Sequence, residues 1–105
     1  MITFSEAELR VKVVKAMGHP VRMMVIGFIL DGERSFSEIF ELFDLDKSTI
    51  SKHLLVLKES GIISSRKVGR EVIYRLEEAC VANFFSCATA VVQNKVEKQL
   101  QGLAR

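Results

Sequence analysis

Apolar residues at Ile50, Leu54 and Leu57 recur at the spacing of one helical face, and the chain marks both ends of that helix. Asp46 is placed to cap the N-terminus and Gly61 to stop the C-terminus, so the pattern predicts a helix within Asp46 to Gly61. After Ile62 and Ile63 the period changes to two. Val72, Tyr74 and Leu76 alternate with Ile73 and Arg75, as a strand with one buried face does, and Gly69 permits a tight reversal ahead of them. Upstream, Ala7, Leu9, Val11, Val13, Val14 and Met17 lie among charges in a moderately amphipathic helix over Ser5 to Met17. Pro20 starts a second helix that runs to about Leu30 and is nearly all apolar, which makes it the expected centre of the core. Ser35 and Glu38 stand three apart before Ile39, Phe40, Leu42 and Phe43, a capping-box signature for a short third helix. Beyond the hairpin, Glu77 and Glu78 open a long last helix that continues to about Leu103, with acids near the positive end of its dipole.

The expected fold class is therefore mainly α with a small β-hairpin, in a single domain over residues 1–105. A core of this size is marginal without a partner subunit, although 49% of the residues are hydrophobic. The longest apolar run, Met23 to Leu30, is interrupted by Gly27 and falls far short of the roughly 20 residues of a membrane span. No signal-peptide pattern opens the chain, and its two cysteines are then expected reduced, in a cytoplasmic protein.

Net charge is only +2, but its distribution is uneven. Residues 46–76 hold seven Lys or Arg against three Asp or Glu, whereas the rest of the chain holds eight against ten. On the fourth helix, Lys47, Ser48, Thr49, Ser51 and Lys52 are left on the outward side at the N-terminal end, and Arg66, Lys67 and Arg70 cluster at the hairpin turn. Short polar and cationic side chains on a helix can meet base edges in a major groove, and helix N-termini and cations meet phosphates. A polar outer face is also ordinary for a solvated helix; the adjoining basic hairpin is what favours duplex DNA as partner. No nucleophile-base-acid order, Gly-rich phosphate loop or paired carboxylates suggest an enzyme.

The element order, with Gly18-His19-Pro20-Val21-Arg22, Ser48-Thr49-Ile50-Ser51-Lys52-His53-Leu54 and Gly61-Ile62-Ile63, resembles the ArsR/SmtB family of winged helix-turn-helix repressors over nearly the whole chain. The resemblance implies a homodimer joined by the first and last helices. It also implies binding to a pseudo-palindromic operator and release by an inducer, commonly a metal or metalloid ion. DNA reading would fall to Lys47, Ser48, Thr49, Ser51, Lys52 and His53, with wing contacts from Arg66, Lys67 and Arg70. Two family sensing sites are altered. Ser35-Phe36-Ser37 stands where many members carry Cys-x-Cys, so a soft metal loses its thiolates there. Glu78 and Cys80 match half of the last-helix site, but Val91 and Asn94 replace its second half, which argues against closed zinc coordination. Persulfide-sensing members pair a last-helix cysteine with one in the second helix, where Gly27 stands.

Cys80 and Cys87 remain, seven residues apart. On a continuous helix they share a face about 10.5 Å apart along the axis, too far for a disulfide within one helix. Two readings stand. Both thiols sense an inducer across subunits, whether trivalent arsenic or antimony, an oxidant or sulfane sulfur; or they pack as small apolar groups beside Phe84, Phe85 and Ala88. His19 is expected to cap or pack, and His53 to meet phosphate or a neighbouring helix. A winged-helix module whose basic wing meets an acidic protein is the rival to the repressor reading, and a thiol redox protein is disfavoured by the lack of Cys-x-x-Cys.

Overall fold

The computed structural model describes residues 1–103 and contains five helices and three short strands among them. Helix α1 (Phe4–Met17) is capped by Thr3, whose hydroxyl accepts from the Glu6 amide, so it starts ahead of Ser5. Helix α2 (Pro20–Leu30) follows after a break at Gly18 and His19. The His19 ring caps it, Nδ1 accepting from the Val21 amide at 3.1 Å, and Pro20 sits where a missing N–H costs nothing. Strand β1 (Arg34–Ser35) leads into α3 (Phe36–Phe40), closed at its start by the expected capping box between Ser35 and Glu38.

Helix α4 (Lys47–Glu59) is the fourth-helix segment of the sequence pattern, with Asp46 as its cap. It ends in a Schellman turn: Ile62 donates to the Leu57 carbonyl, Gly61 donates to that of Lys58, and Gly61 takes φ 85°. That conformation is left-handed and strained for any residue with a Cβ. Because Leu57 and Ile62 are both buried, the turn also delivers the chain from helix to strand through the core. Strands β2 (Ile63–Val68) and β3 (Glu71–Leu76) then pair antiparallel from Ile63↔Leu76 to Val68↔Glu71. Gly69 and Arg70 are left as a two-residue turn, with Gly69 at φ 62° in the first central position, as a type II′ hairpin requires.

The pattern did not reveal β1. It adds to the far edge of β3, Arg34 opposite Tyr74 and Ser35 opposite Ile73, giving the order β1-β3-β2. A strand of two residues is too short to show alternation, and Ser35 also serves as the cap of α3. The last helix, α5 (Val81–Leu103), differs too. Glu77 extends the hairpin, its amide donating to the Ile62 carbonyl, and Glu78 to Cys80 form a turn, so no acid lies in the first turn of α5.

The core lies between α2, α3, α4 and the start of the hairpin. Val25, Ile26, Ile39, Ile50, Leu54, Leu57, Ile62 and Ile63 are all essentially inaccessible, and no polar or charged residue is buried among the described residues. Burial of each such side chain contributes about 1.5–3 kcal/mol. Helices α1 and α5 stand apart from this. Only Ala16 and Met17 of α1 and Val81 of α5 are buried, while Leu9 is 64% exposed, Val92 63% and Leu100 60%. The radius of gyration is 16.6 Å, against about 13 Å for a compact domain of this length. Among the described residues no single helix is long and apolar enough to cross a membrane.

Candidate nucleic-acid interface

The N-terminal end of α4 is held by one strong local contact. Asp46 accepts from the Thr49 amide at 2.7 Å. Hydrogen bonds from Thr49, through its side chain and then its backbone, hold the Asp46 carboxyl below its usual range, with a smaller contribution from Lys52. An anionic cap complements the positive end of the helix dipole, and its charge is used locally. Past it, Lys47, Ser48, Ser51 and Lys52 are exposed and Thr49 is half-buried, all on the side away from Ile50, Leu54 and Leu57. Lys47 Nζ lies 5.9 Å from the centre of the Phe40 ring, which steadies the lysine stem without neutralising its charge.

His53 does not join this face. Its ring is half-buried and turned onto α2, where Nδ1 accepts from Arg22 Nε at 3.1 Å and the ring centroid lies 4.3 Å from that of His19. The periodicity held the signal, since position 53 stands three after Ile50 and four before Leu57, on the inward face.

The hairpin sorts its cations in the same way. Arg66 lies opposite Ile73, inside the ladder and not at the turn, and its guanidinium makes two 2.7 Å bonds to Glu33. That fork lowers the Glu33 carboxyl below its ordinary pKa. Ser37 of α3 donates to Glu71 at 3.1 Å, a second tie between the hairpin and the body. Lys67 and Arg70 are exposed at the tip. Among the described residues Lys47, Lys52, Lys67 and Arg70 make no ion pair, whereas Arg34, Arg66 and Arg75 each do. Of the nine residues expected to face DNA, the fold thus leaves Lys47, Ser48, Ser51, Lys52, Lys67 and Arg70 without a competing polar partner among the described residues, and engages Thr49, His53 and Arg66 elsewhere. Of their partners, Asp46 was legible as a cap, Arg22 stood in the Gly18-His19-Pro20-Val21-Arg22 motif with no sign that it would reach His53, and Glu33 carried no recognisable motif.

Cys80 and Cys87 are both free and exposed. Cys80 lies in the turn before α5, its carbonyl accepting from Asn83 and Phe84, so the two do not share a regular helix as the spacing suggested. No three of the described His, Cys, Asp or Glu residues are grouped to hold a metal. Gly27 faces Phe85 of α5: a Cβ there would meet the ring at 3.2 Å, so the second-helix position expected to lack a thiol is occupied by an aromatic contact.

A helix presenting free cations, joined by a tight turn to a hairpin with two more, on a core shared with two further helices, defines a winged helix-turn-helix. Residues 19–65 match the bacterial regulatory protein, arsR family. The biofilm growth-associated repressor of Xylella fastidiosa is 38% identical over 69 residues, covering 66% of this chain and 60% of that protein, so the match spans under two thirds of the relative's length. The crystal structure of the transcriptional repressor BigR from Xylella fastidiosa is 31% identical over 86% of this chain and 96% of its own, with a TM-score of 0.71. A homodimeric winged helix-turn-helix DNA-binding domain from Mycobacterium bovis shares the fold at a TM-score of 0.78 and 24% identity, over 90% of this chain and 87% of its own. The chain belongs to the ArsR family of transcriptional regulators.

Proposed function

We propose that this chain represses transcription as a homodimer, setting the N-terminal half of α4 into the major groove of a pseudo-palindromic operator and laying the wing tip on the flanking backbone. The observation that carries this reading is the division of cations: among the described residues Lys47, Lys52, Lys67 and Arg70 make no ion pair and lie on α4 and the adjoining hairpin, while Arg34, Arg66 and Arg75 of the sheet are each paired with a carboxylate. Dimerisation follows from the exposed apolar residues of α1 and α5, which no element of the same chain covers among the described residues. The ArsR relatives named as repressors, and the homodimeric neighbour, support both halves of the proposal. Lys52→Ala and Arg70→Ala are each expected to weaken duplex binding and to reduce the salt slope by roughly one. Unchanged affinity in both, or binding indifferent to salt, would return the basic wing to an acidic protein partner.

Release by a thiol-reactive inducer is the second part of the reading. It rests on two exposed free thiols, Cys80 and Cys87, at the start of the helix whose apolar face awaits the partner. Since no third ligand is grouped with them among the described residues, a trivalent arsenic or antimony ion would need thiols of both subunits, and an oxidant or sulfane sulfur would need only the exposed thiols. Titration of the protein–duplex complex with arsenite, zinc, a persulfide donor and peroxide separates these. One agent is expected to release the native dimer and to leave the Cys80→Ser, Cys87→Ser double variant bound; indifference to all four assigns the cysteines to packing.

A further inference from the structure

Both histidines of the chain meet in one place. His19 Nδ1 accepts from the Val21 amide at 3.1 Å, and His53 Nδ1 accepts from Arg22 Nε at the same distance, with the rings 4.3 Å apart at 43°. A ring nitrogen that accepts a hydrogen bond carries no proton, so this arrangement requires both imidazoles neutral and protonated at Nε2. Arg22 reaches further, its other arm donating to the Lys15 and Ala16 carbonyls at the end of α1, the first of which also accepts from the Gly18 amide. Arg22 thereby ties the start of α2, which His19 caps, to the end of α1 through two carbonyls and to the middle of α4 through the His53 lone pair.

We infer that His19, Arg22 and His53 form a proton-sensitive clamp that positions α4 for DNA, so that acidification through the imidazole range loosens the helix and weakens binding. The inference rests on the DNA-binding reading above. His53 lies between Lys52, an unpaired cation of the proposed interface, and Leu54, a core residue, so tilting the ring off Arg22 displaces the lysine. Protonating His53 at Nδ1 sets N–H against N–H on a permanently charged guanidinium. The charged groups that act on His53 are Arg22 and His19; beyond them Arg22 lines a groove with Lys12 and Lys15 of α1 and Glu59 of α4, which does not include either imidazole. Partial desolvation first, then the charges of His19 and Arg22, lower the His53 pKa from its ordinary value. The unfolded chain therefore takes up the proton before the folded one does. Stability from the neutral clamp is full above the ordinary imidazole pKa of about 6.5 and is lost as pH falls from there towards the lowered native value.

The direction of the effect separates this device from a phosphate contact. A histidine touching phosphate binds DNA more tightly when protonated, whereas the clamp predicts weaker binding. The test uses a labelled duplex selected by the protein from a randomised library at about pH 8, with affinity then measured at about pH 8 and about pH 5.5 at fixed ionic strength. Imidazole is the side chain that ordinarily titrates in this interval. The native protein is expected to lose about tenfold in affinity. In the His19→Asn, His53→Asn variant, Oδ1 stands where each Nδ1 stood and accepts the same bonds without titrating; its affinity should match the native value at pH 8 and change less than about twofold on acidification. Asn and His have similar helix propensities, so the substitution within α4 is mild. Equal or tighter native binding at low pH, or an equal loss in the variant, overturns the clamp. If no duplex is selected at pH 8 it is the DNA reading that has failed, and the clamp is then judged on the free protein. There, His53 resonances should titrate below the ordinary imidazole value and the melting temperature should fall on acidification in the native chain but not in the variant; the opposite pattern in either overturns it.

Discussion

The segment from α2 to β3 and the pair α1 with α5 are built on different terms. In the first, apolar side chains from three helices and a hairpin close on one another, and the polar groups are tied off locally: Ser35 with Glu38, Asp46 with Thr49, Arg66 with Glu33, Ser37 with Glu71. In the second, two helices carry large apolar residues into solvent, Phe4 and Leu9 on one, Val91, Val92, Val96 and Leu100 on the other. The contrast teaches that the body which would present the DNA face closes its core within one chain, whereas the arms leave their apolar faces uncovered and, in the proposed homodimer, would gain burial from a second copy. Stability of the body should thus be independent of protein concentration, and stability of the arms should not be.

The largest perturbation to this contrast is expected in the core. Leu57→Ala opens space beneath α4 and removes the apolar partner of Ile62 in the Schellman turn, at a cost of about 2–5 kcal/mol in chemical denaturation at any protein concentration. A loss below about 1 kcal/mol would mean that the body is less tightly packed than described. Val96→Glu should do the reverse, leaving the chain folded and raising the dimer dissociation constant roughly thirtyfold, as sedimentation at several concentrations would read. A monomer that unfolds instead would join the arms to the body and dissolve the distinction. Smaller still is Glu33→Gln. Freed of its carboxylate, Arg66 becomes available to phosphate, and duplex binding should tighten by roughly two- to threefold with a slightly steeper salt slope. Weaker binding would show that Glu33 serves the interface by orienting the wing.

Much of this was legible beforehand because the signals were local. The caps at Asp46 and Ser35, the stop at Gly61, the helical start at Pro20 and the reversal at Gly69 each depend on a few neighbouring residues, and each stands where the pattern put it. Failures came where a distant partner decides. Arg66 reads as one more wing cation until Glu33, 33 residues away, takes its guanidinium. His53 falls on the inward face by periodicity, but whether phosphate or a neighbouring helix takes its ring is decided only by Arg22 and His19. Glu77 and Glu78 read as a helix start, but pairing with Ile62 draws Glu77 into the sheet and α5 begins only at Val81, leaving Cys80 in a turn.

The order of helices and hairpin, and the concentration of positive charge on one stretch of chain, follow from periodicity, caps and turn residues alone, whose energetics act within a turn or two of backbone. Which of those charges stay free was decided only by the folded arrangement. Neutralising a guanidinium or fixing an imidazole tautomer takes a partner brought within about 3 Å, and tertiary packing alone sets such distances between residues remote in the chain.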